Sequence, residues 1–187
     1  MIFPITDLSN SKNPGWGIDG VREMFSHAKR SVLVAGYAVY QGRRVFQALA
    51  NRMEEIPNLR VLLFLDIQRS KGDTSIKSEL VLRFANQFLE NQWPMGKPLP
   101  DVYYDPRSLS QEKSPSKSCL HAKVVVVDDA EVFISSANFT EAAQERNIEI
   151  GLLVKSPSIA GQVGKFFDIL VGTNQVERAL AGRSLGP

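Results

Sequence analysis

The chain has 187 residues, of which 43% are hydrophobic and 22% charged, with a net charge of +2 and one cysteine. That composition excludes a disordered, fibrous or disulfide-stapled protein, and it is enough chain to bury one full core, so a single domain over residues 1–187 is expected. The small net charge neither demands nor excludes nucleic acid, no apolar run reaches membrane-spanning length, and no leader pattern opens the chain; a cytoplasmic protein with no stable membrane insertion is expected.

Residues 1–16 carry Pro, Ser and Asn with little periodicity and read as an extended arm. Gly15, Gly17 and Gly20 formally spell G-x-G-x-x-G, but no strand precedes them, so dinucleotide binding is set aside. Ile18, Val21, Phe25 and Ala28 follow a helical stripe, and SVLVAGYAVY then reads as a buried strand. A second helix carries Phe46, Leu49 and Met53 and stops at Pro57. LRVLLFLD is a further buried strand, Gln68–Thr74 a polar loop, and Ile76, Leu80, Phe84 and Phe88 mark a third helix ending before Pro94.

DVYYD reads as a short strand. Residues 106–118 form a Ser- and Pro-rich rim loop in which Arg107, Lys113 and Lys117 could steer a phosphodiester inward. Three strands come next: residues 120–127 around VVVV, then EVFISS, then NIEIGLLV. Ile159, Val163, Phe166, Phe167 and Leu170 make a last amphipathic helix, and VERALAGRSLGP is expected to add a short helix. Apolar strands alternating with amphipathic helices predict an α/β layered domain on a mixed, largely parallel sheet.

The chemistry concentrates in residues 119–154. Side chains alternate along a strand, so His121 and Lys123 emerge on one face, an imidazole beside an ammonium where an anion could reach both. Asp128 has the opposite parity and, by spacing alone, is a turn or support residue. Ser136 and Asn138 offer short hydrogen-bonding groups where the second strand leaves the sheet, or cap the segment that starts at Phe139. Glu149 is a lone carboxylate in an otherwise apolar strand, which is costly without a partner; His121 is the obvious donor. Cys119 shares the parity of His121, but nothing nearby orients it as a nucleophile.

Together, His121, Lys123 and Asp128 have the His-x-Lys-x4-Asp spacing of the phospholipase D superfamily, and the pattern continues through Ser136 and Asn138 to Glu149. Ser135 stands where that family usually has Gly. The segment NFTEAAQERNIE resembles the superfamily's single-motif bacterial nucleases. A second His-Ala-Lys, at His27 and Lys29, has Val34 where the Asp would be and reads as a helix end.

The resemblance implies a layered α/β/α sandwich and a phosphodiesterase that needs neither metal nor cofactor, with His121, Lys123, Asp128 and Glu149 as catalytic residues. It implies that His121 attacks phosphorus, that a second histidine protonates the leaving oxygen, and that Lys123, Ser136 and Asn138 hold the phosphate. One chain carries one full motif, so a homodimer is expected to complete the site. Nucleic acid is the expected substrate. Phospholipid cleavage, for which Trp16, Trp93 and Met95 are the conspicuous apolar candidates, and a non-catalytic binding or scaffold subunit are the alternatives. Less specifically, the whole chain resembles, chiefly through its N-terminal half, the phospholipase D-like component of the bacterial DISARM anti-phage defence system, which implies partner proteins of that system.

Overall fold

Strands form where apolar residues occupy both parities, and helices where apolar residues recur at three and four. The computed structural model describes residues 2–4, 18–36, 41–111, 118–138 and 149–182. The chain runs through β1 (Ile2–Pro4), α1 (Ile18–His27), β2 (Ser31–Gly36), α2 (Gly42–Glu55), β3 (Arg60–Leu65) and α3 (Lys77–Gln87). It continues through β4 (Asp101–Tyr104), β5 (Val124–Val127), β6 (Glu131–Ser135), β7 (Ile150–Lys155), α4 (Pro157–Gly172) and β8 (Glu177–Leu180). Between α3 and β4 a π-type turn, Phe88–Gln92, carries the chain to Trp93, and a 3-10 turn, Pro106–Leu109, succeeds β4.

These strands form one sheet in the order β1-β7-β6-β5-β2-β3-β4-β8. Alternation sorts their side chains onto two faces. Val32, Val34, Val61, Leu63 and Val125 pack under α1 and α2, against Val21, Phe25, Phe46 and Leu49. The opposite parity, Leu33, Ala35, Leu62, Phe64 and Val126, packs under α4, against Ala160 and Phe167. Helices therefore cover both faces, the expected α/β/α layering. Each large side chain buried this way contributes about 1.5–3 kcal/mol, which ties helices and sheet into one core.

The sheet is mixed as expected, with a different balance. Only β2–β3 and β3–β4 run parallel; the other five described ladders, β1–β7, β2–β5, β4–β8, β5–β6 and β6–β7, are antiparallel. The cause lies in the connections. Helices separate β2, β3 and β4, which forces parallel crossovers, whereas β5 returns directly through β6 in a hairpin. In that hairpin Asp128 and Asp129 both take positive φ, 55° and 52°, and Ala130 N–H closes the turn on Val127 O at 2.9 Å.

The expected terminal helix is instead strand β8. Glu177, Arg178, Ala179 and Leu180 all tolerate a helix, but β4 would otherwise end the sheet with open backbone groups, and pairing with it overrides local propensity. At the other edge, Ile2–Pro4 of the expected arm add β1 to β7. The rest of the arm, residues 37–40 of the strand predicted over SVLVAGYAVY, and residues 183–187 lie outside the described residues.

Candidate active site

The strand directions bring chemistry to one edge of the sheet. β2, β3 and β4 end there, as does β6, while β5 and β7 begin there: Ala35 pairs with Val124, Val124 with Ile134, and Ile134 with Leu152. Lys123 immediately precedes β5 on the parity of Val125, and Glu149 immediately precedes β7 on the parity of Leu153. Val125 and Leu153 both face the α1 and α2 layer. Period-two alternation thus puts the ammonium and the carboxylate over the same face and the same edge.

Lys123 is 7% exposed, unusual for a lysine. Its Nζ lies 3.3 Å from both Nδ1 and Nε2 of His121 and donates to the His121 carbonyl at 3.1 Å. Burial holds the Lys123 ammonium below the usual lysine range, and the charge of Glu149 partly offsets this. His121 itself is exposed. The result is an accessible imidazole with a cation fixed against it, where a doubly coordinated anion would place its oxygens.

Glu149 accepts a short hydrogen bond from Ser136 Oγ, and the same hydroxyl accepts Ile150 N–H at 3.1 Å. Ser136 thereby clips the end of β6 to the start of β7. Asn138 lies just beyond, with its Oδ1 buried and without a hydrogen-bond partner, an acceptor left open beside the motif. Ser135, at the family's glycine position, accepts Ala137 N–H at 2.8 Å and forms part of the turn.

Asp128 stands at the opposite end of β5, about 16 Å from Lys123 by strand rise. Its carboxylate accepts the backbone N–H groups of Lys29, Arg30 and Ser31 at 2.9, 2.7 and 2.9 Å. The second His-Ala-Lys lies at that far edge too: His27 Nε2 meets Glu131 at 3.2 Å. Arg107 binds Asp105 with Nε and Nη2, at 2.9 and 2.8 Å, yet leaves most of its side chain in solvent. Lys113 and Lys117 fall outside the described residues. Trp93 is buried against Phe46 and Phe88, Met95 is 81% exposed, and Trp16 is outside the described residues.

Two carboxylates that sequence reasoning passed over also reach this edge. Asp66, just after β3, accepts Leu120 N–H at 2.9 Å, and Asp105, just after β4, accepts the Ser118 hydroxyl at 2.6 Å. The available signal was that LRVLLFLD and DVYYD each close on an Asp at the carboxyl end of a parallel strand, where α/β sheets gather their ligands.

Residues 21–171 match the family described as "Cardiolipin synthase, PLD-like domain". The chain belongs to the phospholipase D superfamily, and this membership supports phosphodiester chemistry at the site. It is 31% identical over 140 residues to the DISARM protein DrmC of Bacillus paralicheniformis, covering 74% of this chain and 50% of that protein. It thus spans about half the length of this curated relative. Solved structures share the fold: NucT from Helicobacter pylori has a TM-score of 0.57 at 19% identity, over 83% of this chain and 87% of that one. The phospholipase D family member Nuc from Salmonella typhimurium has a TM-score of 0.54 at 20% identity, over 86% and 88%. Phosphatidylserine synthase from Haemophilus influenzae also scores 0.54, at 17% identity over 95% of this chain but 39% of that one.

Proposed function

We propose that the protein is a metal-independent phosphodiesterase that cleaves DNA or RNA through a phosphohistidine intermediate. The observation that carries this is the buried Lys123 ammonium 3.3 Å from both ring nitrogens of the exposed His121. A ring nitrogen of His121 attacks phosphorus, and the bond to the leaving oxygen breaks as a second histidine donates it a proton. Water, deprotonated by that second histidine, then attacks the phosphohistidine and releases the phosphate product. Lys123 and the Asn138 amide N–H stabilise the charge on the five-coordinate phosphorus, Ser136 holds Glu149 by donating its hydroxyl, and the charge of Glu149 favours the Lys123 ammonium. Arg107, Lys113 and Lys117 guide the strand toward it. Asp128 supports the motif from the far end of β5.

The test uses wild type and His121→Ala with plasmid, single-stranded DNA, RNA and phosphatidylcholine vesicles, each in EDTA. Nucleic-acid cleavage that disappears in the variant is expected. Release of choline would redirect the assignment to a lipid headgroup hydrolase, and equal gel retardation without cleavage would leave a binding subunit.

The second histidine is His121 of a partner subunit in a two-fold homodimer. In support, Ile134, Ile150 and Leu152 expose 42%, 61% and 38% of their surface at the site end of β6 and β7, on the α4 face opposite that of Lys123 and Glu149, apolar area suited to a contact between copies. Light scattering is expected to give twice the chain mass for the active species, and a monomer that still cleaves would overturn the dimer. The similarity to a DISARM protein supports a role in anti-phage defence beside other proteins of such a system.

A further inference from the structure

The ladder between β2 and β5 stops at the pair Ala35 and Val124. Among the described residues, Leu120 and His121 lie beyond that last rung. On the β6 side, Ser135 N–H reaches Lys123 O at 3.0 Å. What receives the incoming segment is the pair of carboxylates at the ends of β3 and β4. Asp66 accepts Leu120 N–H through Oδ1 at 2.9 Å and the Gln68 amide through Oδ2 at 2.6 Å. Asp105 accepts Ser118 Oγ at 2.6 Å and is itself held by Arg107. β3 and β4 are parallel neighbours. Residues 118–120 therefore cross their carboxyl ends with one rung on each.

Asp66 is the rung that matters for the chemistry, because the amide it holds belongs to the residue before His121. A hydrogen bond there fixes the Cys119–Leu120 peptide plane, one residue before the Cα from which the imidazole projects, and so limits where that Cα can stand. Burial raises the Asp66 carboxyl above the usual range, Asp105 adds to this, and the bonds from Gln68 and Leu120 oppose it. His121 also lowers it, so carboxylate and ring are within electrostatic reach of each other. We propose that Asp66 is a positioning residue for His121, acting through Leu120 N–H to hold the ring in line with phosphorus. This rests on the reading of His121 as the nucleophile.

The test compares wild type, Asp66→Asn and Asp66→Ala with bis(p-nitrophenyl) phosphate as substrate and, separately, by backbone amide exchange. In Asp66→Ala, kcat is expected to fall about 10- to 100-fold, because a misplacement of about 1 Å carries that cost, while KM stays within about two-fold. Asp66→Asn is expected to restore most of kcat, since its amide oxygen still accepts Leu120 N–H and the Gln68 amide can turn over to match. In the exchange experiment, the Leu120 and His121 amides lose protection in Asp66→Ala and keep it in Asp66→Asn, with Val61–Phe64 unchanged in both. Wild-type kcat in Asp66→Ala, or unchanged protection at Leu120, would overturn the proposal. If wild type turns over no phosphodiester, the nucleophile reading falls, and the exchange comparison still decides whether Asp66 holds the segment.

Discussion

Lys123→Met is expected to lower kcat by about 10²–10³-fold, the cost of deleting one preorganised oxyanion stabiliser, without unfolding the protein. The two outcomes come from the same property. A lysine that is 7% exposed is largely desolvated; the Glu149 charge and the His121 carbonyl offset part of that cost, and in the proposed reaction a phosphoryl group would offset more by placing negative charge beside it. Methionine fills nearly the same volume with no charge to desolvate, so folding stability in urea should lie within about 1 kcal/mol of wild type or above it. A variant that loses activity because it loses its fold would contradict this role for the ammonium.

The pH dependence gives an independent check. Burial holds the Lys123 ammonium below its ordinary value of 10.5, against the opposing charge of Glu149. Between the lowered folded value and 10.5, the unfolded chain binds the proton more readily than the folded one, so this group makes stability rise with pH across that window. The stability of wild type relative to Lys123→Met should therefore increase on going from neutral pH toward pH 10.5. A flat difference would mean that the ammonium is not desolvated.

How much of this was legible depends on the range of the interaction. His121 and Lys123 could be grouped from sequence because period-two alternation is a local rule, and Glu149 joined them as a lone carboxylate in an apolar strand and through the family pattern; the parities of Val125 and Leu153 then place Lys123 and Glu149 over one face. The helices were legible for the same reason, from stripes such as Phe46, Leu49 and Met53. Asp66 and Asp105 were not, because their partners Leu120 and Ser118 are 54 and 13 residues away and meet them only once the strand order is known. β8 was hidden in the same way: its partner is the edge of β4, and nothing within Glu177–Leu180 announces a strand. The parallel share of the sheet was overestimated because alternating helices and strands dominate the first half of the chain, while hairpins build the second.

Asp128→Ala is expected to destabilise the protein by about 2–4 kcal/mol, because it leaves three backbone N–H groups without their acceptor and puts alanine at a left-handed φ. The carboxylate joins the start of the β5–β6 hairpin to the turn between α1 and β2, and Asp128 N–H returns a bond to Ser31 O at 2.9 Å. In thermal unfolding this corresponds to a fall in Tm of about 5–12 °C for a chain of this size. A substitution series separates the two contributions. Asp128→Asn keeps an acceptor and tolerates the positive φ, so it should cost about 1 kcal/mol, whereas Asp128→Gly relieves the backbone but loses the acceptor and should cost more. Burial alone would raise the Asp128 carboxyl, but the N–H groups of Ser31, Arg30 and Lys29 outweigh it and hold it below its ordinary value of 3.8. A depressed carboxylate contributes stability that is full above 3.8 and is lost as pH falls through the folded value. The advantage of wild type over Asp128→Asn should accordingly be constant near neutrality and shrink below about pH 4. Because the residue stands about 16 Å along β5 from Lys123, specific activity per folded molecule at about 20 °C should stay within about two-fold of wild type. A loss of kcat as large as that of Lys123→Met, in a variant that remains folded, would move Asp128 from the scaffold into the chemistry.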